Sequence, residues 1–104
     1  MKILVTGHPG SGKTIFAKYL KDLFFDHEII EFDEYQSYIN LFYMKLRDTE
    51  KYILVIQHKK LLNESIDFDK TYQLQRFDFE TLQIDDGSTI RSVDFLSFEK
   101  YMTS

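Results

Sequence analysis

The chain has 104 residues, of which 43% are hydrophobic and 16% aromatic, which is enough apolar material for one folded domain over residues 1–104 and argues against disorder. Its formal net charge of -4 at pH 7 excludes a globally basic surface for nucleic acid, although a local basic patch is compatible with that charge. It contains no cysteine, which excludes disulfides and thiolate metal sites.

The apolar residues predict alternating strands and helices through the first half of the chain. A short apolar run before Gly7 predicts a buried strand and is too short for a signal peptide or a membrane span, so we expect a cytoplasmic protein with no membrane partner. Apolar residues at helical spacing then predict two helices, and two further apolar runs predict strands. The predicted order is a strand at 2–6, a helix at 13–24, a strand at 28–32, a helix at 36–47 and a strand at 52–57.

The second half of the chain favours strands. An alternating pattern predicts a more exposed strand at 71–77, and a hairpin at 82–93 turns at Asp86-Gly87. A short closing helix is predicted at 94–101. Together these elements predict a compact α/β fold with a mostly parallel sheet, flanked by helices and ending in a C-terminal β-hairpin.

Three of the four glycines and the only proline lie in one short segment, GHPGSGKT, which we call the glycine loop (7–14). Glycines allow backbone N–H groups to turn towards a phosphate without interference from a Cβ atom, and the following helix adds its positive end. A turn that merely joins a strand to a helix needs one or two glycines, but it does not need a lysine and a hydroxyl directly after the last one.

The glycine loop fits the Walker A pattern G-x-x-x-x-G-K-[ST], and here the chain resembles the P-loop nucleoside triphosphatases. The resemblance implies a P-loop fold that binds Mg-ATP, with Lys13 on the β- and γ-phosphates and Thr14 on Mg²⁺. ATP is preferred to GTP because no guanine-recognition motif N/T-K-x-D occurs in the sequence. The implied nucleotide-binding residues are Gly7, His8, Pro9, Gly10, Ser11, Gly12, Lys13, Thr14 and Ile15.

An acidic pair, Asp33-Glu34, follows the second predicted strand and has three interpretations. As a Walker B element, Asp33 would support Mg²⁺ and Glu34 would activate water for ATP hydrolysis. As the base of a small kinase, Asp33 would accept a proton from a substrate hydroxyl. Asp33 could also simply cap the following helix. Ligands of open α/β sheets bind beyond the carboxyl ends of the strands, so Asp33 would lie near the glycine loop if the two strands are neighbours.

The kinase interpretation comes from spacing. Asp33 lies 20 positions after Lys13, which resembles polynucleotide kinases and related P-loop kinases that phosphorylate nucleotides, polynucleotide ends or small alcohols. Such kinases carry arginines in a lid. None of the three arginines of this chain, Arg47, Arg76 and Arg91, falls in a lid-like segment.

The order of the downstream elements resembles the FtsK–HerA superfamily, which includes viral DNA-packaging motors and the Zot-like assembly proteins of filamentous phages. That resemblance implies a polar sensor at the end of the strand after Walker B, which would be Gln57. Glu31 interrupts the apolar run that Walker B strands usually show, and the long segment between Walker A and Walker B in that superfamily is missing here.

These resemblances imply a small phage or mobile-element ATPase of the DNA-packaging or assembly type, located in the host cytoplasm if it is phage-encoded. Its predicted catalytic residues are Lys13, Asp33, Glu34 and Gln57, and its metal residues are Thr14 and Asp33. The resemblance also implies a homo-oligomer, and nucleic acid is a further candidate partner. The alternatives are a P-loop kinase with Asp33 as base, and a nucleotide-binding switch without significant turnover.

Overall fold

A computed structural model of the protein describes residues 1–76 and 81–94. The strands and helices predicted in this part of the chain are present, with boundaries that differ by at most three residues. The strands are β1 (Lys2–Gly7), β2 (Glu28–Glu31), β3 (Tyr52–Ile56), β4 (Lys70–Arg76), β5 (Thr81–Asp85) and β6 (Ile90–Asp94), and the α-helices are α1 (Lys13–Leu23) and α2 (Ile39–Asp48). The closing helix predicted at 94–101 lies outside the described residues except for Asp94, which ends β6.

One six-stranded sheet has the order β2-β3-β1-β4-β5-β6. The strands β2, β3, β1 and β4 run parallel, whereas β5 is antiparallel to both β4 and β6. The sheet is therefore mixed, and the prediction of a mostly parallel sheet was wrong. The reason is connection length, because only positions 77–80 join β4 to β5 and only 86–89 join β5 to β6. A parallel crossover needs about a dozen residues.

The two helices cover opposite faces of the sheet. The apolar stripe of α1, with Phe16, Ala17 and Leu20, packs on one face in a cluster with Ile3 and Val5. The stripe of α2 packs on the other face, in a cluster that consists of Leu4, Ile30, Phe42, Tyr43, Leu46, Tyr52, Leu54 and Ile56. All five residues of β3 are buried, as expected for a strand that is covered on both faces.

The second helix begins later than predicted. Position 36 was the expected start, but α2 begins at Ile39, and a 3₁₀ turn, which we call the acidic turn (Phe32–Tyr35), follows β2 directly. The acidic turn is held against α2 by aromatic side chains, with the Phe32 and Phe42 rings 5.0 Å apart. Since Tyr38 is the N-cap residue of α2, Asp33 does not cap that helix.

Within the described residues, none of the helices has the length and apolar character that crossing a membrane would require.

Candidate functional site

The glycine loop borders an open cavity at the carboxyl edge of the parallel strands. The cavity has a volume of about 490 Å³. Most of the predicted nucleotide-binding residues line it, together with side chains from β2, the acidic turn and β4. The residues that matter for charge and hydrogen bonding are Lys13, Thr14, Glu31, Asp33 and Arg76.

The glycines are needed for the shape of the loop. Gly10 and Gly12 have φ angles of 79° and 93°, in the left-handed region that residues with a Cβ atom rarely adopt. Gly7 is needed because of close packing, since a Cβ atom there would lie 2.5 Å from Ser11 Oγ and 3.0 Å from the Leu74 carbonyl oxygen. Gly12 is also the N-cap residue of α1, so the helix starts inside the loop as predicted.

Not every predicted nucleotide-binding residue reaches the cavity. Gly7 and His8 border a second cavity, and Ser11 is buried with no hydrogen-bond partner for its hydroxyl oxygen. Pro9 and Ile15 do line the first cavity. The predicted set therefore divides into residues that face the cavity and residues that hold the loop in place.

The Lys13 side chain folds back over the loop. Its ammonium donates hydrogen bonds to the carbonyl oxygens of Gly7 and His8, at 2.9 and 3.0 Å. Burial lowers the pKa of Lys13, and the negative charges of Asp33 and Glu31 oppose that shift. The lysine is thus a partly desolvated cation with donors at the centre of the loop, which is suitable for contact with an anionic group.

Thr14 points towards β2. Its hydroxyl donates a hydrogen bond to Glu31 Oε1 over 2.8 Å. Glu31 is the last residue of β2 and is opposite Val55 of β3. Sequence reasoning missed Glu31 because its charge looked like a defect in an apolar strand. Its position two residues before Asp33 at the same strand end was the signal that could have identified it.

Of the acidic pair, one residue lines the cavity and the other does not. Asp33 borders the cavity and accepts a hydrogen bond from Gln36 Nε2 at 3.3 Å. Glu34 is exposed and is not among the residues that line this cavity in the described chain. The strand that precedes Asp33 is not a neighbour of β1, because β3 lies between β2 and β1. Asp33 nevertheless reaches the cavity edge through the acidic turn.

Gln57 lies beside the loop but not in this cavity. Its carbonyl oxygen accepts a hydrogen bond from the Gly7 N–H at 3.2 Å. The residue borders the second cavity, of about 340 Å³, with His8, His58 and Gln73. The predicted sensor residue therefore supports the start of the loop through its backbone.

Arg76 is a cavity residue that the sequence did not identify. It ends β4, and its Nη1 lies 3.3 Å from the Gly10 carbonyl oxygen. The sequence carries only a weak signal for Arg76, namely its position near the end of a predicted strand. The pairing of that strand with β1, which brings Arg76 to the cavity, is not visible in the sequence. Arg76 is therefore a second cation, beside Lys13, among the residues that line the cavity.

A metal ion at this cavity would have to be held largely by ligands from outside the protein. Across residues 1–76 and 81–94, no three His, Cys, Asp or Glu side chains come together as a metal-binding group. Mg²⁺ that accompanies a nucleotide takes most of its ligands from phosphate and water, and one or two protein oxygens are enough. The Thr14 hydroxyl and the carboxylates of Glu31 and Asp33 are ligands of that kind.

The comparisons with known proteins do not assign the chain to a family. No family model matches its sequence, and no curated protein or solved structure is significantly similar to it. Functional assignment therefore depends on the geometry of the cavity and on the residues of the glycine loop.

Proposed function

We propose that this chain binds a magnesium-bound nucleoside triphosphate, ATP, at the glycine loop and hydrolyses it. The observation that carries the proposal is that one cavity brings two kinds of groups together. The Lys13 ammonium and the Thr14 hydroxyl come from the glycine loop, and the Glu31 and Asp33 carboxylates come from the end of β2 and the acidic turn. Phosphate contacts need the first kind, whereas a metal ion and a reacting water need the second.

Each cavity residue has a role in this proposal. Lys13 exchanges its two loop carbonyl partners for the β- and γ-phosphate oxygens, and Arg76 supplies further positive charge. Thr14 provides a hydroxyl ligand for Mg²⁺, which when bound neutralises charge on the phosphates. Of the acidic pair, only Asp33 lines the open cavity in the described chain, and it is therefore a better candidate to orient water than Glu34.

The strand order brings the predicted elements together and is compatible with an ATPase and with a kinase alike. β3, which ends next to Gln57, lies between the strand that leads to the glycine loop and the strand that leads to Asp33. The three predicted elements therefore share one edge of the sheet. A ring of copies and a nucleic-acid substrate are further proposals, and they depend only on the resemblance to FtsK–HerA motors.

A kinase is the second candidate, and one specific observation favours it. The cavity is open and the exposed Asp33 side chain lines it, so a substrate hydroxyl has room to approach this carboxylate. The residue would then act as a general base at hydrogen-bond distance from the acceptor. A switch that binds nucleotide without turnover is the third candidate, since Glu34 and Gln57 are not cavity residues in the described chain.

Phosphate release from Mg-ATP by the purified protein, without any acceptor, tests the proposal. Release that is lost in Lys13→Ala supports an ATPase. If wild type binds ATP but releases no phosphate, hydrolysis is refuted and the kinase or the switch is favoured. Asp33→Asn and Glu34→Gln then identify the carboxylate used, because a kinase loses transfer only in the first variant.

A further inference from the structure

The charges that line the cavity balance before any ligand is bound. Two cations, Lys13 and Arg76, are matched by two carboxylates, Glu31 and Asp33. A nucleoside triphosphate brings several negative charges into this space. A loop meant to attract a bare triphosphate would be expected to carry an excess of positive charge, because like charges at short range repel strongly.

Glu31 is the carboxylate that is connected to the loop. Its Oε1 atom accepts the hydrogen bond that the Thr14 hydroxyl donates, with 2.8 Å between the two oxygens. A hydroxyl has one donor hydrogen and two acceptor lone pairs, so a hydroxyl whose proton points at Glu31 keeps its lone pairs for a cation. Residues that orient a metal ligand in this way commonly change metal affinity about 10–100-fold when they are mutated.

Asp33 lacks this connection. Its Oδ1 atom accepts a hydrogen bond from Gln36, an exposed neighbour, over 3.3 Å. It also belongs to the acidic turn, whereas Glu31 is fixed in the sheet by its pairing with Val55 of β3. Of the two carboxylates, Glu31 is therefore the one placed to act through Thr14.

We propose that Glu31 is a positioning residue that makes nucleotide binding depend on a divalent cation. Its carboxylate orients the Thr14 hydroxyl towards the metal, and its negative charge opposes a triphosphate that arrives without one. This inference rests on the proposed nucleotide binding at the glycine loop. It does not require that the protein hydrolyse ATP.

The test compares nucleotide affinity with and without metal. A non-hydrolysable ATP analogue is titrated calorimetrically into wild type and Glu31→Gln, once with excess Mg²⁺ and once with EDTA. In Glu31→Gln we expect the affinity in Mg²⁺ to fall about 10–100-fold, and the affinity in EDTA to stay equal or rise. The ratio of the affinity in Mg²⁺ to the affinity in EDTA therefore falls towards one.

Two other variants make the result specific. Glu28→Gln is the same chemical change at the opposite end of β2, where Glu28 pairs with Lys45 at 2.9 Å, and it should keep the wild-type ratio. Thr14→Val removes the hydroxyl and should weaken binding in Mg²⁺ without improving binding in EDTA. Combining it with Glu31→Gln should weaken Mg²⁺-dependent binding no further, because the two residues act as one unit.

Failure of this inference can be told apart from failure of the proposed function. If wild type binds the analogue and Lys13→Ala does not, but Glu31→Gln keeps the wild-type ratio, only the inference is overturned. It is also overturned if Asp33→Asn, and not Glu31→Gln, removes the metal dependence. If wild type fails to bind the analogue in Mg²⁺, both are overturned. A thermal melt followed by circular dichroism confirms that each variant is folded.

Discussion

Phe42 is the residue through which α2 supports the candidate site. Its side chain is fully buried, and its ring lies 5.0 Å from Phe32, 5.8 Å from Tyr35 and 5.1 Å from Tyr43. Phe32 and Tyr35 are the first and last residues of the acidic turn, which carries Asp33. Replacing Phe42 with leucine keeps an apolar side chain in the core but removes all three ring contacts.

The three contacts set the size of the expected loss. An aromatic pair contributes about 0.5–1.5 kcal/mol beyond the area it buries, so the loss of three pairs in Phe42→Leu should lower the free energy of unfolding by about 1.5–4.5 kcal/mol. Truncation to alanine would cost about 3–5 kcal/mol and could unfold so small a domain. Leucine is therefore the more informative substitution.

Urea unfolding followed by circular dichroism measures this loss, with the free energy extrapolated linearly to water. Leu46→Met is the matched control, since it lies in the same helix and cluster and conserves volume, and it should cost less than about 1.5 kcal/mol. A loss below about 0.5 kcal/mol in Phe42→Leu, or one no larger than that of the control, would refute a stabilising role for the ring contacts.

Three further predictions concern other parts of the molecule. Arg76→Ala removes a cation from the cavity, so calorimetry should show an affinity for Mg-ATP about 10–100-fold lower, which is the range for losing a hydrogen bond to a charged group. An unchanged affinity would exclude Arg76 from phosphate binding. The hydrogen bond from Lys51, followed by that from His27, lowers the pKa of Asp26 from 3.8 to about 2. Because the pKa of Asp26 is lower in the folded than in the unfolded protein, its stabilisation of the fold is complete above about pH 4 and is lost towards pH 2. The difference in unfolding free energy between wild type and Asp26→Asn should therefore shrink over that range. A difference that stays constant with pH would contradict this. Gly87 has φ of 90° with open space around it, so Gly87→Ala should cost about 1–2 kcal/mol through backbone strain alone; Gly87→Asn should cost less in the same urea assay, and equal losses would argue against strain.

Much of the fold could be predicted from local patterns. The first three strands and both helices have continuous apolar runs or clear helical stripes, and the hairpin has Asp86-Gly87 at its turn. The direction of the strands was harder to predict. The hairpin at 82–93 was predicted and is present as β5 and β6. The antiparallel pairing of β4 with β5 was not predicted, although the short segment at 77–80 already required it, because the alternation of strands and helices in the first half favoured a mostly parallel sheet.

The candidate site could be predicted only where one segment contains it. The glycine loop carries its own spacing, so Lys13 and Thr14 were identified as cavity residues from the sequence. Glu31 and Arg76 were missed because their roles depend on which strands lie side by side. Gln57 was placed at the correct sheet edge because it follows a clear apolar strand. The cavity that it borders could not be predicted, because that too depends on which strands lie side by side.

The pairing of β1 has a consequence for how the protein folds. Ile3 is opposite Ile53 on one side and Lys70 on the other, so the partners of β1 lie 50 and 67 positions along the chain. Closing such long stretches of chain precedes any gain from pairing, and domains dominated by distant contacts fold slowly, in milliseconds to seconds. The start of the glycine loop depends on both partners, through the Gln57 carbonyl and the close approach of Leu74 to Gly7. A partly folded chain is therefore expected to have the loop residues but not the loop shape, and the isolated segment 1–24 is not expected to form the cavity that the glycine loop borders.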